Sequence, residues 1–156
     1  MSIVPAEQNA YDELQCYTLA HRDPAFIHQH VVDAWAAQHA DEQTKPIALA
    51  FALFGLYLHV EKGLSGRHVQ RAHMALARKR DTWPVSALPP GRGAITAAGV
   101  MAVAAGPERD AAIDAWCASV WAAFHASHAQ IAELLERQAE PAGRGRGRGT
   151  AKARQR

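Results

Sequence analysis

Nine histidines in 156 residues exceed ordinary usage, and helical spacing pairs several of them with other ligating groups. His30 and Asp33 stand three apart, as do His125 and His128, so each pair projects from one face of a helix. His59 closes a long apolar run. Helical bundles build metal centres from such pairs on facing helices, because a cation needs three or four ligands converging from separate elements. His30, Asp33, His59 and His128 carry this expectation, with His39 and His125 as further ligands. Two imidazoles and a carboxylate suit a divalent transition metal (zinc, iron, nickel or copper) and leave positions open for a small-molecule substrate. The ion would serve as a Lewis acid or generate a hydroxide or thiolate nucleophile. Hydrolysis, thiol transfer and oxygen chemistry all stay open.

A competing reading makes these side chains core histidines bonded to backbone, since the sequence contains no His-Glu-x-x-His and no Cys-x-x-Cys. Metal-free acid–base chemistry is a further alternative, with Asp33 or Glu61 as the catalytic carboxylate that orients an imidazole. His68 and His73, beside Arg67 and Arg71, fit a polar or anion-binding surface better than a metal centre. Ser119 and Ser127 sit mid-helix, where a hydroxyl normally bonds its own backbone. Trp35, Trp116, Trp121, Tyr17, Tyr57 and Phe124 read as core packing. Cys16 and Cys117 make neither a disulfide scaffold nor a zinc finger, and read as small apolar groups or free thiols.

The elements that must position these groups are helices. Ala occurs 34 times and β-branched residues are scarce, which excludes an all-β fold. Apolar periodicity predicts five helices. The first spans about 6–20, with Tyr11, Leu14, Cys16, Tyr17 and Leu19 inward. Asp23-Pro24 reads as a cap and first helical position for the second, to about His39. Thr44 caps the third, Lys45–Lys62, which Gly63 ends. That segment is apolar on nearly every side, so it should be the central helix, with Ala48, Ala52, Gly55 and His59 as a stripe permitting close approach. Ser65 caps the fourth, Gly66–Arg80. A crossing loop over Thr82–Gly106, with a short helix in 96–104, reads as a cover over a site. The fifth and longest helix runs from Pro107 to about Gln138.

This gives an all-α architecture: an antiparallel four- to five-helix bundle over residues 1–140 with one long crossing loop, then a disordered basic tail over 141–156. The tail holds six Arg and Lys and no acid, while the body carries 11 basic and 15 acidic side chains. Arg-Gly tracts contact nucleic-acid phosphate loosely. No apolar run is long enough to span a membrane, and the N-terminal residues lack a secretory pattern, so a cytoplasmic location is expected. Two functions follow. The first is a metal-binding bundle enzyme acting on a small molecule. The second is a non-enzymatic, homodimerising module with structural histidines, whose tail touches nucleic acid or acidic partners.

Two stretches, Pro24-Ala-Phe-Ile-His-Gln-His-Val-Val-Asp-Ala-Trp-Ala-Ala-Gln-His39 and Leu53-Phe-Gly-Leu-Tyr-Leu-His-Val-Glu-Lys-Gly63, carry a resemblance. They are similar to a bacterial family of small helical proteins with no assigned activity. In that family a His-x-x-Asp-Ala-aromatic-x-x-Gln-His element precedes a hydrophobic helix ending near Glu and Gly, and a late Trp-x-x-aromatic helix carries a His. The matching positions are His30, Asp33, Gln38, His39, Glu61, Trp121 and His128, spanning most of 11–135. Some members carry a Cys-rich zinc element in front, which this sequence lacks. More distantly, the plan resembles the metal-dependent bundle superfamily of damage-induced proteins and thiol-dependent transferases. There, three histidines, or two with a carboxylate, hold a divalent metal. Those proteins present His-x-x-x-His or Glu-x-x-x-His late in the chain, where this sequence has His125-x-x-His128.

Overall fold

The computed structural model describes residues 3–21, 23–79 and 82–139. Among them there are seven α-helices and no strand: α1 Pro5–Ala20, α2 His28–Gln38, α3 Pro46–Val60, α4 Gly66–Ala77, α5 Ala97–Met101, α6 Pro107–Ala123 and α7 His128–Ala139. No helix among them is long and apolar enough to cross a membrane. The basic stretch 141–156 lies outside the described residues.

The central position of α3 follows from its composition. Leu49, Ala50, Ala52, Leu53, Phe54, Gly55 and Leu56 are all buried, and α3 packs against α2, α4, α6 and α7. A helix apolar all round must be surrounded to hide its surface. Of the small-residue stripe, Ala52 and Gly55 are buried while Ala48 is exposed. At Gly55 the approach of α2 is so close that a Cβ would stand 1.8 Å from Asp33 Oδ2.

Several boundaries differ from the sequence reading for local reasons. The second helix starts at His28, because Asp23 spends its carboxylate on a preceding turn, accepting from Ala25 N at 2.8 Å and Ile27 N at 3.2 Å. Phe26, at φ 56°, then interrupts the chain before the helix begins. Thr44 does not cap α3; it closes a turn with Asp41 instead. Ser65 caps α4 and Thr96 caps α5, each accepting from the amide three residues on. On α1, Tyr11 and Leu14 face inward as expected, but Cys16 and Leu19 are exposed and Thr18 takes the buried position.

The long fifth helix is two helices. The α-ladder breaks at Phe124, whose ψ of 26° leads into a 3-10 turn, His125–Ser127. The ring of His128 occupies the freed position, stacked on Trp121 and donating from Nε2 to Trp121 O at 2.7 Å. The buried stripe nevertheless continues through the break: Ile113, Trp116, Cys117, Val120, Trp121, Phe124, Ile131 and Leu134 all join the core.

The crossing segment is pinned to the bundle. Gln38 Nε2 donates to Ile95 O at 2.7 Å, and its Oε1 accepts from the indole of fully buried Trp116 at 3.0 Å. Arg92 donates to the carbonyls of Ala37, Gln38 and Ala40, satisfying the end of α2. Trp83 rests on Phe51 and Phe54. The Gln38 and Arg92 bonds hold Arg92 and Ile95 at the C-terminal end of α2, about 12 Å of helix away from His30, while Trp83 lies on α3.

Candidate functional site

Three mutually packed helices, α2, α3 and α6, bring His30, His59 and Asp114 together. His30 lies in the first turn of α2 and is buried; His59 lies in the last turn of α3. Their rings stack with centroids 3.5 Å apart and planes within 19°. His59 Nδ1 lies 3.2 Å from Leu64 O, and its Nε2 lies 2.9 Å from Asp114 Oδ1. A carbonyl and a carboxylate both accept, so the imidazolium form of His59 makes both bonds at once. The pair opens to solvent on the α6 side, where the Asp114 side chain is 61% exposed and that of His59 18%.

His30 has the opposite character. Burial, reinforced by the neighbouring His59, lowers its pKa to about 4, so its ring is neutral at pH 7. Its Nδ1 is buried without a hydrogen-bond partner. Behind it, Cys117 Sγ points at His30 O, 3.6 Å away. Complete burial pushes that thiol well above its ordinary range, which keeps it protonated and unreactive.

Asp33, one turn along α2, turns away toward α3 and α4. Its Oδ1 accepts from Gln29 Nε2 at 3.1 Å, while Oδ2 presses on Gly55 without a polar partner. Burial raises its pKa well above the usual carboxylate range. Gln29 Nε2 also reaches His73 Nδ1 at 3.4 Å, and His73 Nε2 donates to Phe51 O at 2.8 Å. Asp33, Gln29 and His73 thus form a polar seam between helices. Burial lowers the pKa of His73, which fits a neutral ring that accepts at Nδ1.

The other expected ligands stand apart from this cluster. His128 is engaged with Trp121. The Trp121 indole donates to Glu61 Oε1 at 2.8 Å, which gives Glu61 a hydrogen-bonding role at the end of α3. His39 lies against Trp35 near the other end of α2, its Nε2 buried and unpaired, its pKa lowered by burial. His125 is exposed in the 3-10 turn. Among the described residues no three His, Cys, Asp or Glu side chains are already gathered in metal-holding geometry. The structure therefore brings His30 and His59 together and leaves Asp33, His39, His125 and His128 apart from them. The two rings lie nearly parallel, which directs their lone pairs alongside each other rather than at one point.

Asp114, Gln29 and Arg92 did not stand out in the sequence, and His73, expected on a polar or anion-binding surface, is instead largely withdrawn between Gln29 and Phe51. The one signal for Asp114 is an acid inside the otherwise apolar stripe of α6, between Ile113 and Trp116.

The fold and the cluster define an all-α bundle with an imidazole pair and a carboxylate on three of its helices. The chain belongs to the family of unknown function DUF5946, which matches residues 7–125 and so includes His30, His59 and Asp114 but not His128. No curated protein and no solved structure matches it.

Proposed function

We propose that the protein takes up a divalent transition metal between α2, α3 and α6, with His59 and Asp114 as the outer ligands and His30 as the inner one, and uses it on a small-molecule substrate. The observation that carries this reading is the His59–Asp114 spacing. Tetrahedral zinc about 2.0–2.1 Å from each of two ligands holds them about 3.3 Å apart, so the hydrogen-bonded Nε2 and Oδ1, 2.9 Å apart, need to part by only a few tenths of an ångström to admit it.

Further features support the reading. His59 donates from Nδ1 to Leu64 O, the outer bond that fixes the tautomer of a metal-ligating imidazole and leaves Nε2 for the ion. His30 is already deprotonated at neutral pH and has an unpaired ring nitrogen, as a ligand must. Solvent reaches the cluster past Asp114, which supplies an entry path. Uptake requires the ion to replace the proton between His59 and Asp114 and the His30 ring to tilt out of its stack. Bound there, the ion would supply Lewis acidity. The chain's own contribution is to hold the two imidazoles from behind, through Leu64 O and the α2–α6 packing.

The test is elemental analysis and zinc calorimetry on untagged protein. Near-stoichiometric uptake that falls at least tenfold in His59→Ala, His30→Ala and Asp114→Asn, but not in His128→Ala or His39→Ala, is expected. A wild-type chain that retains no zinc, iron, nickel or copper after loading overturns the proposal, as does uptake indifferent to His59→Ala.

A further inference from the structure

Helices α3, α4 and α7 leave an open cleft of about 350 Å³ between them. None of its lining residues belongs to the His30–His59–Asp114 cluster. Its walls are Tyr57 and Leu58 from α3, Ala72, Ala75 and Leu76 from α4, and Leu135 from α7. Ala72 and Ala75 put little bulk on the α4 wall, which leaves the space between the helices open. The volume falls at the lower end of the range of about 300–1,000 Å³ for small-molecule pockets.

The polar groups at the rim give the cleft a direction. Lys62, Lys79 and Glu136 line its edge, leaving one excess positive charge. Lys79 Nζ donates to Gln138 O. The Lys62 ammonium lies 5.7 Å from the centre of the Tyr57 ring and, among the described residues, makes no hydrogen bond or ion pair. It therefore has three donors to offer at the end of an apolar trough. We propose that this cleft binds a small amphiphile with a carboxylate head and an unbranched aliphatic tail, the head on Lys62 and the tail along Leu58, Leu76 and Leu135. Tyr57 links the cleft to Trp121, 5.8 Å away ring to ring, so indole emission reports occupancy.

The probes are hexanoate, octanoate and decanoate, with octylammonium as the charge-reversed control, titrated into the full chain by tryptophan fluorescence and calorimetry. Binding of one molecule per chain is expected, tightening about fourfold per added methylene as each buries about 0.8 kcal/mol of transfer free energy. Octylammonium should bind at least tenfold more weakly than octanoate, and Lys62→Glu should erase that preference. Ala75→Trp, at an exposed position that tolerates bulk, should block binding while the far-ultraviolet circular dichroism is unchanged. Three results would overturn the proposal: octylammonium binding as well as octanoate, Ala75→Trp binding normally, or no saturable binding at all. So would a chain that sediments as a dimer in which Ala75→Trp abolishes association, because a second copy would then fill the cleft.

Discussion

Replacing Gly55 by Ala is the sharpest probe of how α2 and α3 meet. The added Cβ would stand 1.8 Å from Asp33 Oδ2 and 2.4 Å from its Cγ, far inside contact distance. The carboxyl cannot simply rotate away, since Asp33 is buried and its Oδ1 is tied to Gln29. Either the helices part or the Gln29 bond breaks. Overpacking of this kind costs about 1–3 kcal/mol, and losing the hydrogen bond adds about 1 kcal/mol. Ala gains about 1 kcal/mol over Gly in a helix. The net expectation is a loss of about 2 kcal/mol, a fall in Tm of roughly 4–8 °C for a chain of this size. Asp33→Ala removes the obstructing group, so in that background Gly55→Ala should be neutral or stabilising, with a coupling energy of about 2–3 kcal/mol in the double-mutant cycle. Chemical denaturation of the four proteins measures it. A Gly55→Ala chain as stable as the parent, or a coupling near zero, would refute the close packing of Asp33 on Gly55.

Other consequences are equally direct. In a pH titration followed by NMR, the His30 ring should titrate near pH 4; a midpoint between 6 and 7 would contradict its burial beside His59. Because that folded-state pKa is depressed below the unfolded value of about 6.5, its contribution is fully present above pH 6.5. It is lost as pH falls toward 4, a slope that His30→Gln should flatten in thermal melts. Asp33 has the opposite sign, since its folded pKa is raised and holding it protonated weakens the fold increasingly above pH 4. Asp33→Asn should therefore raise Tm at pH 7 and give a smaller gain near pH 4; an equal effect at both would show that burial does not raise the Asp33 pKa. Gln38→Ala leaves the Trp116 indole unpaired in the core and releases Ile95 O, at a cost of about 2–4 kcal/mol. Hydrogen exchange should quicken across 93–100, and unchanged exchange would mean that Gln38 does not hold the crossing segment.

Much of the helix inventory is legible in the sequence because it depends on local chemistry. Ser65, Thr96 and Pro107 mark helix starts, and the unbroken apolar surface of α3 places it at the centre. The errors arise where one polar side chain has two local uses. Asp23 and Thr44 were equally able to cap a helix or close a turn, and took the turn. The break at Phe124 has no sequence mark of its own, since its apolar stripe runs on unchanged; it depends on the ring of His128 finding the Trp121 carbonyl. For the site, spacing singled out His30 and His59 and paired His30 with Asp33, where the structure brings Asp114 to His59 instead. Asp33 shares a helix with His30, yet Gly55 gives its carboxyl a berth on another face. Asp114 is the acid that bonds His59, and only the packing of α6 against α3 brings it there. Periodicity reports which face a residue occupies and is silent on which neighbour that face meets.

A long-range proton–nitrogen NMR spectrum of the histidine rings during a zinc titration reads individually the nitrogens that would hold an ion. One equivalent of zinc should move His59 Nε2 and one ring nitrogen of His30 to the ligated position. His59 Nδ1 should keep its proton, and the resonances of His39, His125 and His128 should stay in place. Zinc that shifts other histidines and leaves His30 and His59 untouched, or shifts none, would contradict metal uptake at this pair.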